Sequence, residues 1–428
     1  MAALPNAPES PMTPQPANAS VTPAPRTASW GAVFALTLCV STLIASEFMP
    51  VSLLTPLATD LHVSEGRAGQ AVSVSGLFAV LTSLVIASIA RAVDRRRLLL
   101  VLTGVMLASG LVTALAPTFT VLMVGRALIG VVIGGFWSLS TATVMRLVPE
   151  RDVPRALALL NGGNALATTV AAPLGSFLGQ YIGWRGSFFA VVPLAAITLA
   201  WQFFTLPAMP TERAARPPST LALLRRPEAR SGILALSLLF MGQFALFTYL
   251  RPFLETVTRV SVSTLSLLLL GMGAAGLVGT YLIGFFVARR LSAVLVGAPL
   301  AMVLVALALV VFGRSPLATA GLLALWGLIG TAAPVAWWTW LSHTLPNDAE
   351  AGGGLMVAAI QLAITAGASL GGLLFDRSGY QSTFIASAGL LGGAALLALW
   401  ASRALRTAHT GAVEAPGVTL QNAAQEGA

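Results

Sequence analysis

Long apolar runs, separated by short charged or turn-forming clusters, fill the chain from residue 30 to residue 402. A helix needs about 20 apolar residues to cross a hydrocarbon core of roughly 30 Å. Twelve runs come near that length, so the pattern predicts an all-α integral membrane protein with twelve transmembrane helices. The predicted spans are residues 31–56, 68–90, 98–116, 119–147, 154–182, 186–206, 231–254, 263–288, 291–313, 315–343, 352–375 and 380–402.

The longest break between the runs, residues 207–230, is rich in proline and arginine and divides six predicted helices from six. The two sets resemble each other at a spacing of 196 residues. The matching positions are Leu174-Gly175 with Leu370-Gly371, Gly183-Trp184 with Gly379-Tyr380, and Phe188 with Phe384. We therefore expect two parallel six-helix repeats, residues 30–206 and 231–402, with a substrate site between them at the midplane.

The chain ends and the loops predict how the protein lies in the membrane. Residues 1–29 are rich in Pro, Ala, Ser and Thr, and we expect a disordered cytoplasmic arm that is not a signal peptide. Residues 403–428 are predicted to be a disordered cytoplasmic tail. Seventeen loop arginines fall on the side of the termini and six on the other side. Because arginine-rich loops stay in the cytoplasm, both termini and the linker 207–230 are predicted to be cytoplasmic.

The composition excludes several classes of protein. Hydrophobic residues make up 56% of the chain and charged residues only 9%, far below the ~25% of an ordinary soluble domain. The net charge of +9 comes from arginines scattered over short loops, which argues against nucleic-acid binding. The single cysteine, Cys39, and three widely separated histidines predict neither a disulfide framework nor a metal site. We expect no cofactor.

Glu47 is the acidic residue that the predicted topology places inside a span. An ionisable group at that depth is costly, so we expect it to face a cavity or a partner. The alternative is a protonated glutamic acid that only helps the helices pack. At 1.5 Å per residue, Arg126 lies about 10 Å and Glu47 about 13 Å below the same outer surface. The two are predicted to alternate between pairing and proton exchange, or else to form a static buried pair.

Two further clusters suggest moving parts. Asp94 and Arg95 follow span two, where an acid among arginines suits a latch against a helix end; plain positive-inside anchoring is the alternative. Pro173 and Gly175 in span five indicate a hinge or a tight helix interface.

At these positions the chain resembles the twelve-span drug:proton antiporter branch of the major facilitator superfamily. Asp94-Arg95 matches the signature after span two, Arg126 with Gly130 that of span four, and Pro173 with Gly175 that of span five. Alanine stands at residues 90 and 172, where the signatures usually have glycine. Longer stretches resemble bacterial purine ribonucleoside efflux pumps, namely residues 47–56, 134–137, 145–149, 172–179, 242–245, 247–252, 297–300 and 360–363.

The resemblance covers about residues 30–402 and implies the major facilitator fold in a bacterial inner membrane. It implies a monomeric, proton-coupled antiporter that exports purine ribonucleosides of the inosine or guanosine type by alternating access. Sugar exporters (arabinose-like) and broad-specificity drug exporters of the same fold remain alternatives. A membrane enzyme or receptor is disfavoured, because the sequence shows no triad, phosphate loop or metal spacing.

Polar and aromatic residues near mid-span are the predicted contacts of a small polar substrate. A purine offers a flat face for stacking and edges for hydrogen bonds to amides. Hydrogen bonding between helices, or an interfacial tryptophan belt, would explain the same residues without a substrate. The candidates are Trp137, Asn161, Asn164, Gln243, Tyr249, Trp338 and Gln361.

Overall fold

The chain is almost entirely helical in the residues that the computed structural model describes, which are 28–90, 92–210, 220–345 and 349–413. Short 3₁₀ turns at Glu150–Asp152 and Thr220–Arg225 and a π turn at Leu254–Thr258 connect some of the helices. The helices are α1 (Trp30–Ser52), α2 (Leu54–Asp60), α3 (Glu65–Ile89), α4 (Arg95–Ala114), α5 (Phe119–Leu147), α6 (Val153–Thr205), α7 (Pro227–Phe247), α8 (Leu250–Phe253), α9 (Val262–Phe312), α10 (Pro316–Gly330), α11 (Ala333–Thr344) and α12 (Ala349–Val413).

Three long helices, α6, α9 and α12, each contain two membrane spans that meet at a kink. The helix α6 has 53 residues, and the apolar part of α12, Gly352–Trp400, has 49. About 50 helical residues would measure about 75 Å, more than twice the bilayer core. Gly183 (φ 70°, ψ 172°) breaks α6, Gly379 (φ 75°, ψ −174°) breaks α12 and Arg290 breaks α9. Positive φ of this kind favours glycine. With α10 and α11 forming one interrupted span, the predicted twelve-helix architecture is confirmed.

Helix ends differ from the predicted spans where proline intervenes. The first span ends at Ser52 and continues as α2, because Pro50 and Pro56 cannot donate to the helix ladder. Span seven similarly ends at Phe247 and continues as α8.

The predicted terminal segments fall mostly outside the described residues. Of the predicted arm 1–29, residues 1–27 lie outside them, and so do residues 211–219 of the predicted linker. The helix α12 continues to Val413, past the predicted start of the tail at residue 403, and residues 414–428 again lie outside.

The helix bundle has two ends, which we name by the chain. The terminal face carries the start of α1, the end of α6 and the start of α7; the distal face carries α2, the start of α3, and the breaks at Gly183 and Gly379. Each half has its own buried cluster, one around Leu36, Ile129 and Phe136, the other around Leu236 and Trp326. The second cluster also contains Val51, Val72 and Ala172 from the first half, so the halves pack against each other.

Candidate functional site

Glu47 lies on α1 toward the distal face and is 7% exposed. Its Oε1 accepts a hydrogen bond of 3.4 Å from Nε2 of Gln361, which lies on α12 in the other half of the molecule and is 6% exposed. Within the described residues, Oε1 of Gln361 is buried and has no hydrogen-bond partner. A carboxyl group in the membrane interior therefore contacts the opposite half through one amide.

Arg126 on α5 is completely buried and anchors the main chain beside Glu47. Pro50 has no N–H, so the carbonyl of Ser46, four residues earlier, lacks its usual helical donor. Nη1 of Arg126 donates to this carbonyl at 2.8 Å, and Nη2 donates to the carbonyl of Glu47 at 3.1 Å. Nε donates to the carbonyl of Ala71 on α3 at 3.1 Å. The guanidinium thus joins α1, α3 and α5 around the kink at Pro50.

The predicted pair of Glu47 and Arg126 is brought together through the backbone. The guanidinium contacts the carbonyl oxygen of Glu47, and the carboxyl group receives its hydrogen bond from Gln361 instead. The carboxyl group therefore points toward the junction of the halves while Arg126 holds the helix that carries it.

A stack of aromatic rings adjoins Glu47 and was not anticipated from the sequence. The ring of Phe48 stacks on Phe244 of α7, with centroids 5.9 Å apart, and Phe244 stacks on Phe240 at 6.5 Å. The repeat contained a signal for it, because Glu47-Phe48 and Gln243-Phe244 are 196 residues apart. The same alignment makes Gln243 the counterpart of Glu47.

The other predicted substrate contacts fall into different environments. Trp137 is half-buried against Phe136, Asn164 is half-buried, and Asn161 is exposed with its amide donating to the carbonyl of Leu157 at 2.9 Å. Trp338 is 44% exposed. These four residues lie on α5, α6 and α11.

Gln243 lies on α7 and Tyr249 lies just after it, and the two side chains pack against different helices. Nε2 of Gln243 lies against Gly330 of α10, and its buried Oε1 has no partner in the described part of the chain. Tyr249 is 0% exposed, and its hydroxyl donates to the carbonyl of Ala368 at 2.8 Å. Its ring stacks on Phe375. The structure therefore places Tyr249 in packed protein, which differs from the cavity position expected for a substrate contact.

Polar contacts join the halves between mid-helix and the distal face. Ser73 of α3 donates to the carbonyl of Thr365 at 3.1 Å and accepts from Ser369 at 2.9 Å. Nearer the distal face, Asp376 of α12 accepts from the start of α3, and Arg251 of α8 donates to the end of α1. Neither charged residue stood out in the sequence, because each lies near the end of a predicted span, where charged residues are common.

The predicted gating residues lie within the first half in this structure. Asp94 caps α4, accepting from the amides of Arg96 at 2.7 Å and Met209 at 2.9 Å. The amide of Arg95 donates to the carbonyl of Met209 at 3.3 Å. Asp94 thus ties the start of α4 to the segment after α6.

Pro173 and Gly175 are buried where α6 meets α1. A side chain at Gly175 would lie 2.6 Å from Oγ of Ser52. This close approach is the geometry of a tight helix interface.

A cavity of about 460 Å³ opens on the distal face beside Asp60 and Arg251. Asp60 accepts from Nη1 of Arg185 at 2.6 Å and from the indole of Trp184 at 3.2 Å. The hydrogen bond from Arg185 is the main cause that holds the pKa of Asp60 below its ordinary value of 3.8. In the described ranges, no group of three or more His, Cys, Asp and Glu side chains is placed to hold a metal ion.

Comparison with known proteins identifies the family. Residues 34–355 match the sequence profile of the Major Facilitator Superfamily. The chain is 58% identical over 379 residues to "Transcription regulatory protein OpdE" of Pseudomonas aeruginosa, covering 88% of this chain and 94% of that protein. It is 42% identical over 363 residues to "Purine ribonucleoside efflux pump NepI" of Salmonella paratyphi C, covering 85% and 91%.

A solved structure agrees at the level of the fold. A bacterial homologue of the human lysosomal transporter Spinster superimposes with a TM-score of 0.71 and 16% identity, over 89% of this chain and 98% of that chain. The resemblance inferred from the sequence signatures is therefore confirmed. The chain belongs to the Major Facilitator Superfamily and is a multi-pass membrane transporter rather than an enzyme.

Proposed function

We propose that the protein is a proton-coupled antiporter that exports purine ribonucleosides by alternating access. The observation that carries this proposal is the hydrogen bond between the buried carboxyl group of Glu47 and Gln361, which links a titratable group to the opposite half. The relatives named as purine ribonucleoside efflux pumps, 42% identical over most of the chain, support the choice of cargo.

Protonation of Glu47 would change the contact between the halves. An ionised carboxylate only accepts hydrogen bonds, so it takes one from Nε2 of Gln361. A protonated carboxyl group also donates, and the unpartnered Oε1 of Gln361 is an acceptor within the same side chain. Arg126 keeps the α1 main chain fixed during this exchange. Proton binding and movement of the halves are thereby coupled.

The cargo would lie between the halves on the terminal side of Glu47. A purine base stacks on aromatic rings, and its edges accept hydrogen bonds from amides and donate hydrogen bonds to them. Gln243 supplies a buried carbonyl oxygen that has no partner in the described residues, and Gln361 supplies a second. Asn164, Asn161, Trp137 and Trp338 complete the proposed set.

The arginine distribution supports a cytoplasmic terminal face and a periplasmic distal face in a bacterial inner membrane. In this orientation the distal contacts close the periplasmic side, and we propose that one chain is the transporting unit. Closure of one side with access from the other is the property that alternating access requires.

Transport in inverted membrane vesicles tests the function. Labelled inosine, guanosine, arabinose and a cationic dye are supplied, with and without an imposed gradient that is acidic inside. We expect gradient-dependent accumulation of the two nucleosides. Accumulation of arabinose alone would assign a sugar exporter, accumulation of the dye a drug exporter, and equal uptake without the gradient would exclude proton coupling.

The name of the 58% relative suggests regulation of transcription as a second candidate function. Among the described residues, the helices leave only short connections outside the membrane spans. An effect on transcription would therefore act through the concentration of the transported solute. Comparing transcripts between a strain with the Glu47→Gln variant and one with wild-type protein separates this route from one independent of transport.

A further inference from the structure

We propose that Arg251 and Asp376 form a latch that holds the distal face closed during the transport cycle. Both belong to the second half, and they bind the end of α1 and the start of α3 in the first half. The proposal concerns the conformation of the transporter and does not depend on which solute it carries.

Asp376 completes the cap of α3 from the opposite half. Its Oδ1 accepts from the amide of Gly66 at 2.8 Å, and its Oδ2 accepts from Oγ of Ser64 at 2.5 Å. Ser64 itself accepts from the amide of Arg67 at 3.2 Å, as an N-cap residue does. Because a helix N-terminus carries partial positive charge, the carboxylate is attracted to α3 as well as hydrogen-bonded to it.

Arg251 makes the complementary contact at the end of α1. The amide that would normally satisfy the carbonyl of Ser52 belongs to Pro56, which has no N–H. Nη1 of Arg251 donates to this carbonyl, and Nε donates to Glu255 at 2.8 Å, which fixes the direction of the guanidinium. Arg251 is 5% exposed, so its positive charge lies in a largely dry environment at the partially negative end of α1.

The two contacts bind the two ends of one segment, from the end of α1 to the start of α3, and they do so with opposite charges. Only α2 and a short turn separate the end of α1 from the start of α3. To open the distal face, these helix ends must move away from α8 and α12, and both charged contacts then break together. Hydrogen bonds to charged groups contribute more to stability than those between neutral groups, so the loss of both contacts opposes opening.

The internal repeat shows that the charges are specific to the second half. At the spacing of 196 residues, Leu54-Thr55-Pro56 corresponds to Leu250-Arg251-Pro252, so Thr55 stands opposite Arg251. Gln180 stands opposite Asp376 and is exposed. The start of α9 is capped by its own Ser261, which accepts from the amide of Thr264 at 3.2 Å. A cap from the other half is therefore not a general requirement of the repeat.

Distance measurements on the full-length transporter in lipid nanodiscs test the latch. In a Cys39→Ala background, spin labels replace Pro117 and Arg314 on the distal face, or Arg151 and His343 on the terminal face. We expect Asp376→Asn to raise the population with a long distal distance about two- to fivefold. The same variant should lengthen the distal and shorten the terminal distance, because alternating access couples the two faces; local damage would change the distal distance alone.

Matched controls use the charge pair that lies on the same face within one half. Asp60→Asn and Arg185→Gln remove comparable charges and should leave both distance distributions unchanged. Ser64→Ala should shift them in the direction of Asp376→Asn, to a smaller extent, and Arg251→Gln in the same direction. Because Asp376 is exposed, Asp376→Asn should fold normally, so it tests the latch even if Arg251→Gln fails to fold. Unchanged distances in Asp376→Asn, or equal shifts in the Asp60 control, would overturn the proposal.

Discussion

The guanidinium of Arg126 supplies the hydrogen-bond donor that Pro50 lacks. The proline leaves the carbonyl of Ser46 without a helical partner, and Nη1 of Arg126 lies 2.8 Å from that oxygen. An unsatisfied carbonyl in the membrane interior costs several kcal/mol, so a donor from another helix stabilises a helix that carries a proline there. The buried charge is thus explained by the backbone geometry of α1.

A double-mutant cycle measures this relationship. Arg126→Gln should destabilise the protein by about 1–3 kcal/mol, because it leaves buried acceptors unpaired. In a Pro50→Ala background the restored amide satisfies Ser46, so the same substitution should cost about 1 kcal/mol less. Denaturant unfolding of purified protein in detergent gives these values. Pro193→Ala, in α6, is the control background, and strict additivity in the Pro50 background would contradict the explanation.

The membrane spans and the depth of their charged residues could be predicted from the sequence. The partners of those charged residues in space could not. Apolar run length predicts the spans, and the depth of Glu47 and Arg126 predicts that both lie near one level of the membrane. Neither signal states that the carboxyl group meets Gln361 while the guanidinium meets backbone carbonyls, because such partners depend on helix rotation. Asp376 and Arg251 escaped notice for a related reason: their targets are backbone groups, which have no signature in the sequence.

Glu47→Gln should abolish accumulation driven by a pH gradient. The amide retains the shape of the acid and can donate to Gln361, so it imitates the protonated state but cannot release a proton. Folding and nucleoside binding should persist, as measured by monodispersity in detergent and by binding of labelled inosine. Glu228→Gln, at the start of α7, is the control and should transport normally. Undiminished gradient-driven accumulation by Glu47→Gln would remove this residue from the coupling mechanism.

Gln361→Ala and Gln243→Ala should each weaken nucleoside binding by about 1–2 kcal/mol, which is roughly a tenfold rise in Kd. Each substitution removes an amide whose carbonyl oxygen has no partner in the described structure. Isothermal titration with inosine measures the effect. Gln202→Ala is the control, since Gln202 accepts from Thr103 inside the first half and should alter stability without altering Kd. Wild-type affinity in both test variants would assign the two glutamines to helix packing.

The pair of Asp60 and Arg185 should stabilise the fold of the first half only when Asp60 is ionised. Because Arg185 lowers the pKa of Asp60 in the folded protein, its contribution is fully present above the ordinary value of 3.8. It is lost as the pH falls through the lower folded-state value. Asp60→Asn should therefore lower Tm modestly at pH 7, and the difference from wild type should shrink below pH 3.8. Scanning fluorimetry across pH measures the Tm of wild type and of Asp60→Asn, with Asp152→Asn as the control. A difference in Tm that does not change with pH would contradict this prediction.

Asp94→Asn should separate the two roles proposed for Asp94, capping a helix and holding the terminal face closed. Asparagine caps a helix about as well as aspartate, so the hydrogen bond from the amide of Arg96 should survive. Its single side-chain oxygen cannot also accept from the amide of Met209, which bonds the second carboxylate oxygen, so Asp94→Asn should lose that one bond and only a little stability. Asp94→Ala, which loses the cap, should cost about 1 kcal/mol.

A latch that depends on charge is lost in both variants. Since the described structure is closed at the distal face, Asp94 would act in the opposite state, and its loss should further favour distal closure by up to a few-fold. Spin-label distances across the terminal face, with export assays alongside, report the shift. If Asp94→Asn keeps wild-type distances and export while Asp94→Ala only lowers stability, Asp94 is a helix cap alone.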